Sequence, residues 1–252
     1  MDTAVGGQGA PLVPMVDYLR YSDPEKSRII LNLGGIANFT YLPSSGGLNE
    51  VRAFDVGPAN ILIDGAVREL YSGRKTRDEG GALARKGQLS QALFEYILKL
   101  DDFRFLPFPK STGRERYSKS FLNKVLDHGN KKLRLPREDI IATISNYSLF
   151  MIEYHVKKIL KDPKNQKVEL IVGGGGSKNK FLIEGLRGME QFGKVSTHDV
   201  YGVPARFWEC FSFGILAYLA YYRVSGNVPS ATGASRSVVL GRINYPVEHQ
   251  ID

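Results

Sequence analysis

Apolar and polar residues in the first sixty positions alternate in a way that is typical of β-strands joined by tight turns. Arg28–Leu33 and Ala37–Leu42 are rich in β-branched and aromatic residues, and two glycines separate them. A cluster of turn residues at 43–47 precedes a third predicted strand, Val51–Val56. Connections this short predict three sequential antiparallel strands. A helix should follow, with residues 61, 62, 66 and 70 on its apolar face.

Helical periodicity dominates the middle of the chain. Ser90–Leu100 repeats apolar residues at helical spacing, and a longer apolar stripe predicts a helix from Pro136 to Lys161. The acidic residues at the start of that stripe and the lysines at its end suit the helix dipole. Phe103–Gly113 is interrupted by two prolines, so we predict a loop whose length indicates a functional role.

The second half shows a strand, a glycine turn and a helix in succession. Lys167–Val172 predicts a buried strand, Gly173–Gly176 a turn, and Lys178–Leu186 a helix. We then expect a short strand at 195–197 and an apolar helix at 204–222 whose residues 211–222 are buried. A turn at 232–234 should follow this helix. The whole pattern predicts an α/β protein with a mixed sheet.

The charge of the chain adds a constraint on its partners. The 252 residues carry a formal net charge of +8, but the basic residues are scattered and no zinc-finger, basic-zipper or RNP-like motif is present. We therefore expect a lysine-rich solvated surface and no nucleic-acid partner, and an anionic small-molecule substrate would fit the same sign of charge.

The location of the protein is constrained by its apolar runs and its cysteine. No apolar run reaches the roughly 18 residues that a membrane span requires, and no signal peptide is visible. Cys210 is the single cysteine and lies in an apolar segment. It indicates a reducing compartment and an inert, buried thiol. We expect a cytoplasmic protein without a membrane partner.

Several common catalytic signatures are missing from the sequence. The four histidines are far apart, so no protein metal site is predicted. There is no G-x-S-x-G elbow and no Walker A motif, and Gly174-x-Gly176 lacks the last glycine of a dinucleotide fingerprint. These absences disfavour the classical hydrolase, protease and Rossmann classes.

Two glycine turns beside predicted strands remain as candidates for binding. Gly173–Gly176 joins a strand to a helix and Asn179 follows, an arrangement that can seat an anion and let a flat base approach the backbone. The alternative is a flexible turn. The segment 32–38 is either a tight hairpin or a phosphate-facing hairpin with asparagines at its rim. Two such loops in one α/β chain indicate a nucleotide cleft.

Other polar positions could carry chemistry. Asp55 stands at a strand end, where carboxylates position metal ions or sugar hydroxyls. The loop 110–115 carries two cations and two hydroxyls that suit an anionic or polyhydroxyl ligand. Its alternative is a capping box from Thr112 to Glu115. Glu209 lies in an apolar helix, where we expect it to be buried and either paired or directed at a substrate.

These motifs, taken together and in order, resemble the anhydro-N-acetylmuramic acid kinase family. The segments that carry the resemblance cover essentially the whole chain: residues 6–14 (GGQGAPLVP), 33–38 (LGGIAN), 109–115 (PKSTGRE), 173–179, Glu209 and 232–234 (TGA). The resemblance implies the second half of a two-domain kinase with an actin/hexokinase-like, ribonuclease H-like fold. It also implies ATP- and Mg²⁺-dependent opening of a 1,6-anhydro ring by water, with phosphorylation of the six-position hydroxyl, in amino sugar and cell-wall recycling.

The resemblance also implies a role for each matching residue. Asp2 would be the base that activates the water, and Glu209 would face the sugar. The further residues implied are, for the substrate, Gln8, Lys110, Ser111, Thr112 and Arg114, and for the nucleotide, Gly34, Gly35, Asn38, Asp55, Gly174, Gly175 and Asn179. The implied partners are ATP and an anhydro amino sugar, and a homodimer is left open.

One family feature is not found in these residues. The family has a further domain with a glycine/serine-rich first phosphate loop, and no such loop occurs in residues 1–252. We therefore expect residues 1–27 to be a connection and cleft segment and 28–252 to form the second domain, with weak ATP binding and no turnover by this chain. The alternatives are a non-catalytic sugar- or nucleotide-binding remnant and a kinase for another anhydro sugar.

Overall fold

The fold is built around one five-stranded mixed sheet. The computed structural model describes residues 1–160, 162 and 166–244. The strands are β1 (Arg28–Leu33), β2 (Ile36–Leu42), β3 (Arg52–Pro58), β4 (Val168–Gly173) and β5 (Phe192–Thr197). Their spatial order is β3-β2-β1-β4-β5.

The directions of the strands confirm the predicted fold class. β1, β2 and β3 form the predicted antiparallel meander, while β4 lies parallel to β1 and β5 parallel to β4. β2 is thus the one strand of this sheet that runs against the others. The α/β architecture expected from the sequence is therefore present.

Helices cover both faces of the sheet. The helices are α1 (Pro14–Tyr21), α2 (Asn60–Leu70), α3 (Gln91–Leu100), α4 (Lys119–Asp127), α5 (Arg137–Ile159), α6 (Lys180–Arg187), α7 (Trp208–Tyr221) and the single turn α8 (Pro229–Thr232). Ile29, Leu31 and Leu33 of β1 contribute to the larger core, with α2 to α6. Ile30 lies on the opposite face, with α1, α7 and α8. This alternation follows from the two-residue period of a strand.

Several element boundaries differ from the sequence predictions. The long helix ends at Ile159, and Lys161, its predicted end, lies outside the described residues, as do residues 245–252 of the predicted second domain. α4 was not predicted, and β5 begins three residues earlier than expected. The division of the chain at residue 27 stays a prediction.

The burial predicted for the apolar helix is wrong. In α7 the buried side chains are Trp208, Ser212 and Leu216, whereas Phe213, Tyr218 and Tyr221 are exposed. Cys210 is exposed too, so the prediction of a buried thiol fails with it. One side of α7 packs on the sheet, and nothing in the described chain covers the other. No helix among the described residues combines the length and the apolar character needed to cross a bilayer.

Candidate functional site

Asp2 is held firmly although it is the second residue of the chain. Its Oδ1 accepts hydrogen bonds from Asn227 Nδ2 at 2.7 Å and Thr232 Oγ1 at 2.8 Å, and its Oδ2 accepts one from Gly9 N at 2.9 Å. The carboxylate lies against Gly7, where an added Cβ would stand 2.0 Å from Oδ2. The glycines of residues 6–9 and the turn at 232–234 therefore form one seat for this side chain.

The electrostatics of this seat favour an ionised carboxylate. Burial acts to raise the pKa of Asp2, but the hydrogen bonds from Asn227, Gly9 and Thr232 outweigh it and leave the pKa lower than usual. Two carboxylate oxygens offer about four acceptor sites, so three donors leave room for one more. Asp2 is thus ionised at neutral pH and has one acceptor site left for a further hydrogen bond.

Asp2→Ala should lower the free energy of unfolding by about 2–3 kcal/mol at pH 7, since it leaves three donors without their charged acceptor. Because the pKa of Asp2 is lower in the folded state, this loss should be present above about pH 4 and shrink as the pH falls below it. Urea unfolding at several pH values measures it. Thr3→Ala, at the exposed next position, should change stability by less than about 0.5 kcal/mol, and an equal effect of both variants would contradict the assigned contacts.

Asp55 anchors the loop that follows Pro109. Asp55 N donates to Lys110 O at 3.0 Å, and Asp55 Oδ2 accepts from Thr112 N at 2.7 Å. Burial raises the pKa of this carboxyl to about 6, and the charge of Glu115 acts in the same direction. In this structure Asp55 holds the 110–112 segment against the edge of β3.

The charges of this loop separate into a buried and an exposed set. Lys110 is buried, and its Nζ donates to Phe103 O at 2.8 Å and lies 4.5 Å from the centre of the Phe103 ring. Burial lowers the pKa of this amine to about 8. Ser111 and Arg114 are exposed, whereas Thr112 Oγ1 is buried and has no hydrogen-bond partner within the part of the chain that the structure describes. Lys110 therefore supports the loop from inside, and Arg114 is the cation left for a ligand.

The capping box considered for Thr112 and Glu115 does not form. The helix begins at Lys119, and the side chain of Ser118 caps it by accepting from Phe121 N at 3.4 Å. Residues 114–116 form a turn instead.

Glu209 is exposed in the first turn of α7, which corrects the expectation that it is buried. Trp208, its neighbour, fills the buried position because the helix turns this side of the chain towards the sheet. Gln8 is also exposed, and its backbone N–H donates to Thr232 O at 2.9 Å. Both side chains are free to meet a ligand, and their implied contacts with a sugar stay predictions.

Part of the glycine turn after β4 serves the fold. Gly174 has φ +74°, and an added Cβ would stand 2.7 Å from the Leu33 carbonyl carbon, so only glycine lets the two turns touch. Asn179 is buried and caps α6 by accepting from Leu182 N at 3.2 Å. Asn38 is half-buried in β2, opposite Asn32 on one side and Asp55 on the other.

The two glycine turns meet at one end of the sheet. Asn32 of β1 pairs with Gly173 of β4, and since these strands are parallel, both continue into their turns at the same edge. Ligands of α/β sheets commonly bind beyond the carboxyl ends of parallel strands. The N–H groups of Gly34 and Gly35 donate to no oxygen among the described residues, whereas their carbonyls hold the start of α2.

A cleft of about 770 Å³ opens beside these turns. Gly34, Gly35 and Gly175 line it together with Arg114, so the structure brings four of the sequence-predicted site residues together. The other predicted residues do not line this cleft. They include Asp2, Gln8, Asn38, Asp55, Lys110, Ser111, Thr112, Gly174, Asn179 and Glu209.

One wall of the cleft was not predicted from the sequence. This wall is a face of α2 that presents Asn60, Asp64 and Arg68, and Tyr117 and Lys119 face it. The signal was available for α2, because residues 60, 64 and 68 are polar at a spacing of four between the apolar positions. No local pattern marked Asn227, which reaches Asp2 from the other end of the chain.

Comparison with known proteins identifies the family. The family model described as anhydro-N-acetylmuramic acid kinase matches residues 1–246. Kinases of that name from Bacillus cereus (strain AH187) and Bacillus thuringiensis subsp. konkukian (strain 97-27) are each 38% identical over 248 residues. These alignments cover 98% of this chain and 63% of each relative, so the chain spans less than two thirds of their length.

Two solved structures align with part of this chain. The activator of 2-hydroxyisocaproyl-CoA dehydratase from Clostridium difficile, with bound ADPNP, aligns with a TM-score of 0.45 and 16% identity, over 79% of this chain and 61% of its own. The component A of (R)-2-hydroxyglutaryl-CoA dehydratase from Acidaminococcus fermentans has the same TM-score and 11% identity, over 79% of this chain and 63% of its own. From the family model and the curated relatives it follows that this chain belongs to the anhydro-N-acetylmuramic acid kinase family.

Proposed function

We propose that this chain provides the nucleotide-binding part of an ATP-dependent anhydro-sugar kinase. The observation that supports the proposal is the meeting of two glycine turns and Arg114 in one cleft. Free backbone N–H groups and a guanidinium are the donors that phosphate oxygens accept, and this cleft offers both. Family membership supports the reaction class.

The cleft residues fit a nucleotide sterically. An added Cβ at Gly175 would meet nothing within 4 Å, so its α-carbon faces open space where a flat base could approach. The backbone N–H groups of Gly34 and Gly35, at the adjacent turn, find no acceptor within residues 1–160, 162 and 166–244. Bound ATP would supply the phosphoryl group. The residues here would orient it, with Gly34 and Gly35 at the phosphates and Arg114 opposite them.

The proposed Mg²⁺ would enter with the nucleotide. Among the described residues there is no group of three or more His, Cys, Asp or Glu that could hold a metal ion. Mg²⁺ is usually held by waters, substrate phosphates and one or two carboxylates, so a complete protein cage is not required.

On the sugar side, we propose that Asp2 accepts the proton of the attacking water. Its three hydrogen bonds hold it ionised and fix its orientation, and the remaining acceptor site is the one a water could use. Glu209, exposed at the start of α7, would contact the sugar.

Gly175→Leu should weaken ATP binding by at least tenfold, because the new side chain would enter the cleft without disturbing the fold. Titration calorimetry with ATP and Mg²⁺ measures the effect. Gly47→Leu is the matched control, since Gly47 also has open space around it and an ordinary φ of −80° but lies outside the cleft. Equal affinity of Gly175→Leu and the parent chain would contradict the proposed site.

Turnover is a separate question from binding. We propose the anhydro-N-acetylmuramic acid substrate on family grounds, and the expectation that residues 1–252 do not turn it over alone stays a prediction. Incubation with ATP, Mg²⁺ and that sugar tests it, and phosphosugar that disappears in Asp2→Asn would overturn it. A homodimer is likewise only proposed, and sedimentation analysis would test it.

A further inference from the structure

One carboxylate in the cleft has no role in the fold. Asp64 is half-buried on α2 and lines the cleft, but no hydrogen bond or ion pair is found for it within the described part of the chain. Glu69, the other acid of this wall, pairs with Lys119 at 3.3 Å. A carboxylate that is partly removed from water without a donor is costly, and a ligand that supplies a donor would recover that cost.

The position of Asp64 along α2 indicates which part of a nucleotide would meet it. Asn60, Asp64 and Arg68 follow one another at a spacing of four on one face of the helix. At 1.5 Å per residue, Asp64 lies about 6 Å further along the cleft than Asn60, whose backbone N–H is bonded to Gly34 O. The glycine N–H groups lie at the Asn60 end, so that end suits the phosphates.

The chemistry near Asp64 suits a nucleoside and disfavours a phosphate. An anionic carboxylate without a donor accepts hydrogen bonds from neutral hydroxyls and repels phosphate oxygens, and the nearby cation of this wall, Arg68, lies one turn further along α2 from the Asn60 end. The donors of a nucleoside are its ribose hydroxyls and base amines, and two vicinal hydroxyls match the two oxygens of a carboxylate.

We propose that Asp64 accepts hydrogen bonds from the ribose hydroxyls of the bound nucleotide and so makes the cleft selective for ribonucleotides. This inference rests on the proposed nucleotide function of the same cleft. Burial raises the pKa of Asp64, and although the charges of Arg68 and Arg77 lower it in part, the charge of Asp78 adds to the net increase. The ribose hydroxyls would supply the donors that these neighbours do not.

Binding of ATP and 2′-deoxy-ATP, both with Mg²⁺, to the whole chain tests the proposal. The parent chain should bind ATP about tenfold more tightly, as expected for one hydrogen bond to a charged group. Asp64→Ala should weaken ATP binding about tenfold more than 2′-deoxy-ATP binding, so that the variant binds both nucleotides equally, because 2′-deoxy-ATP retains the 3′ hydroxyl but lacks the 2′ hydroxyl that Asp64 would accept from. Asp127→Asn is the control, since Asp127 ends α4 in an ion pair with Lys131 and does not line the cleft.

Each result has a distinct meaning. If discrimination between the two nucleotides persists in Asp64→Ala, the proposal is wrong. If both nucleotides weaken equally and lose their Mg²⁺ dependence, Asp64 serves the metal ion and the proposal is also wrong. If the parent chain binds neither nucleotide, the proposed function itself fails and this inference fails with it. Thermal unfolding of the variants verifies folding, and Asp64→Asn should not be less stable, because no contact of the fold is lost.

Discussion

Asp101→Ala should lower the free energy of unfolding by about 3–5 kcal/mol, because the change leaves several buried donors without an acceptor. Asp101 is 1% exposed. Its Oδ2 accepts from Tyr147 OH at 2.6 Å and Tyr117 OH at 2.9 Å, and its Oδ1 accepts from Phe103 N at 3.0 Å. Burial and the charge of Asp101 raise the pKa of both tyrosines far above the usual range, so their hydroxyls remain donors.

The neighbouring aspartate provides the control for this prediction. Asp102 is exposed and pairs with Arg116, which also lies 3.6 Å from Asp101 Oδ1. Asp102→Ala should cost less than about 1 kcal/mol, as exposed ion pairs usually do. Urea unfolding compares the two variants, and similar losses would show that the buried network contributes little. Because Tyr117 lines the cleft, Asp101→Ala should also weaken ATP binding.

Asp17→Asn should stabilise the protein by about 2–3 kcal/mol more at pH 8 than at pH 5. Asp17 is buried on α1 against β2 and α7, and its Oδ2 accepts a hydrogen bond from Thr40 Oγ1 at 2.6 Å. Its Oδ1 has no hydrogen-bond partner among the residues that the structure describes. Burial raises its pKa from 3.8 to about 7. At about 1.4 kcal/mol per pH unit, ionising it in the folded protein costs on the order of 4 kcal/mol.

The sign of this effect follows from proton binding. Between pH 3.8 and about 7 the folded protein holds a proton on Asp17 that the unfolded chain has lost, so stability falls as the pH rises through this range and is level above it. The Asp17→Asn variant lacks this contribution to the pH dependence of stability, because an asparagine side chain does not ionise. Denaturation followed by the fluorescence of Trp208, the single tryptophan, measures both proteins at each pH. A difference that does not change with pH would contradict a raised pKa of Asp17.

The elements that local sequence could specify were predicted well. β1 has its predicted bounds, and the antiparallel meander, the glycine turn after β4 and the long helix are all present. Short connections and the strand and helix periods determine these features within a few residues of chain. The two glycine turns could also be recognised as one cleft, because parallel strands bring their carboxyl ends to the same edge.

The burial of individual side chains depended on contacts between distant segments, so it could not be predicted from the sequence alone. An apolar helix such as α7 shows no polar face from which its buried side can be recognised, so the exposure of Glu209 and Cys210 was decided by where the helix docks. Lys110 is buried because Phe103 O and Asp101 lie beneath it, whereas Arg114, four residues on, points into the cleft.

The hydrogen bonds of Asp2 show most clearly which contacts local sequence explains and which depend on distant segments. The glycines at 6–9 mark the seat of Asp2 in the sequence, and local chain geometry explains the bond from Gly9. The donors Asn227 and Thr232 come from 225 and 230 residues away. The sequence by itself therefore determined the strands, the turns and the family, because these depend on neighbouring residues. The tertiary structure decided which carboxylates are held, buried or left without a partner, because hydrogen bonding and desolvation depend on what packs around each group.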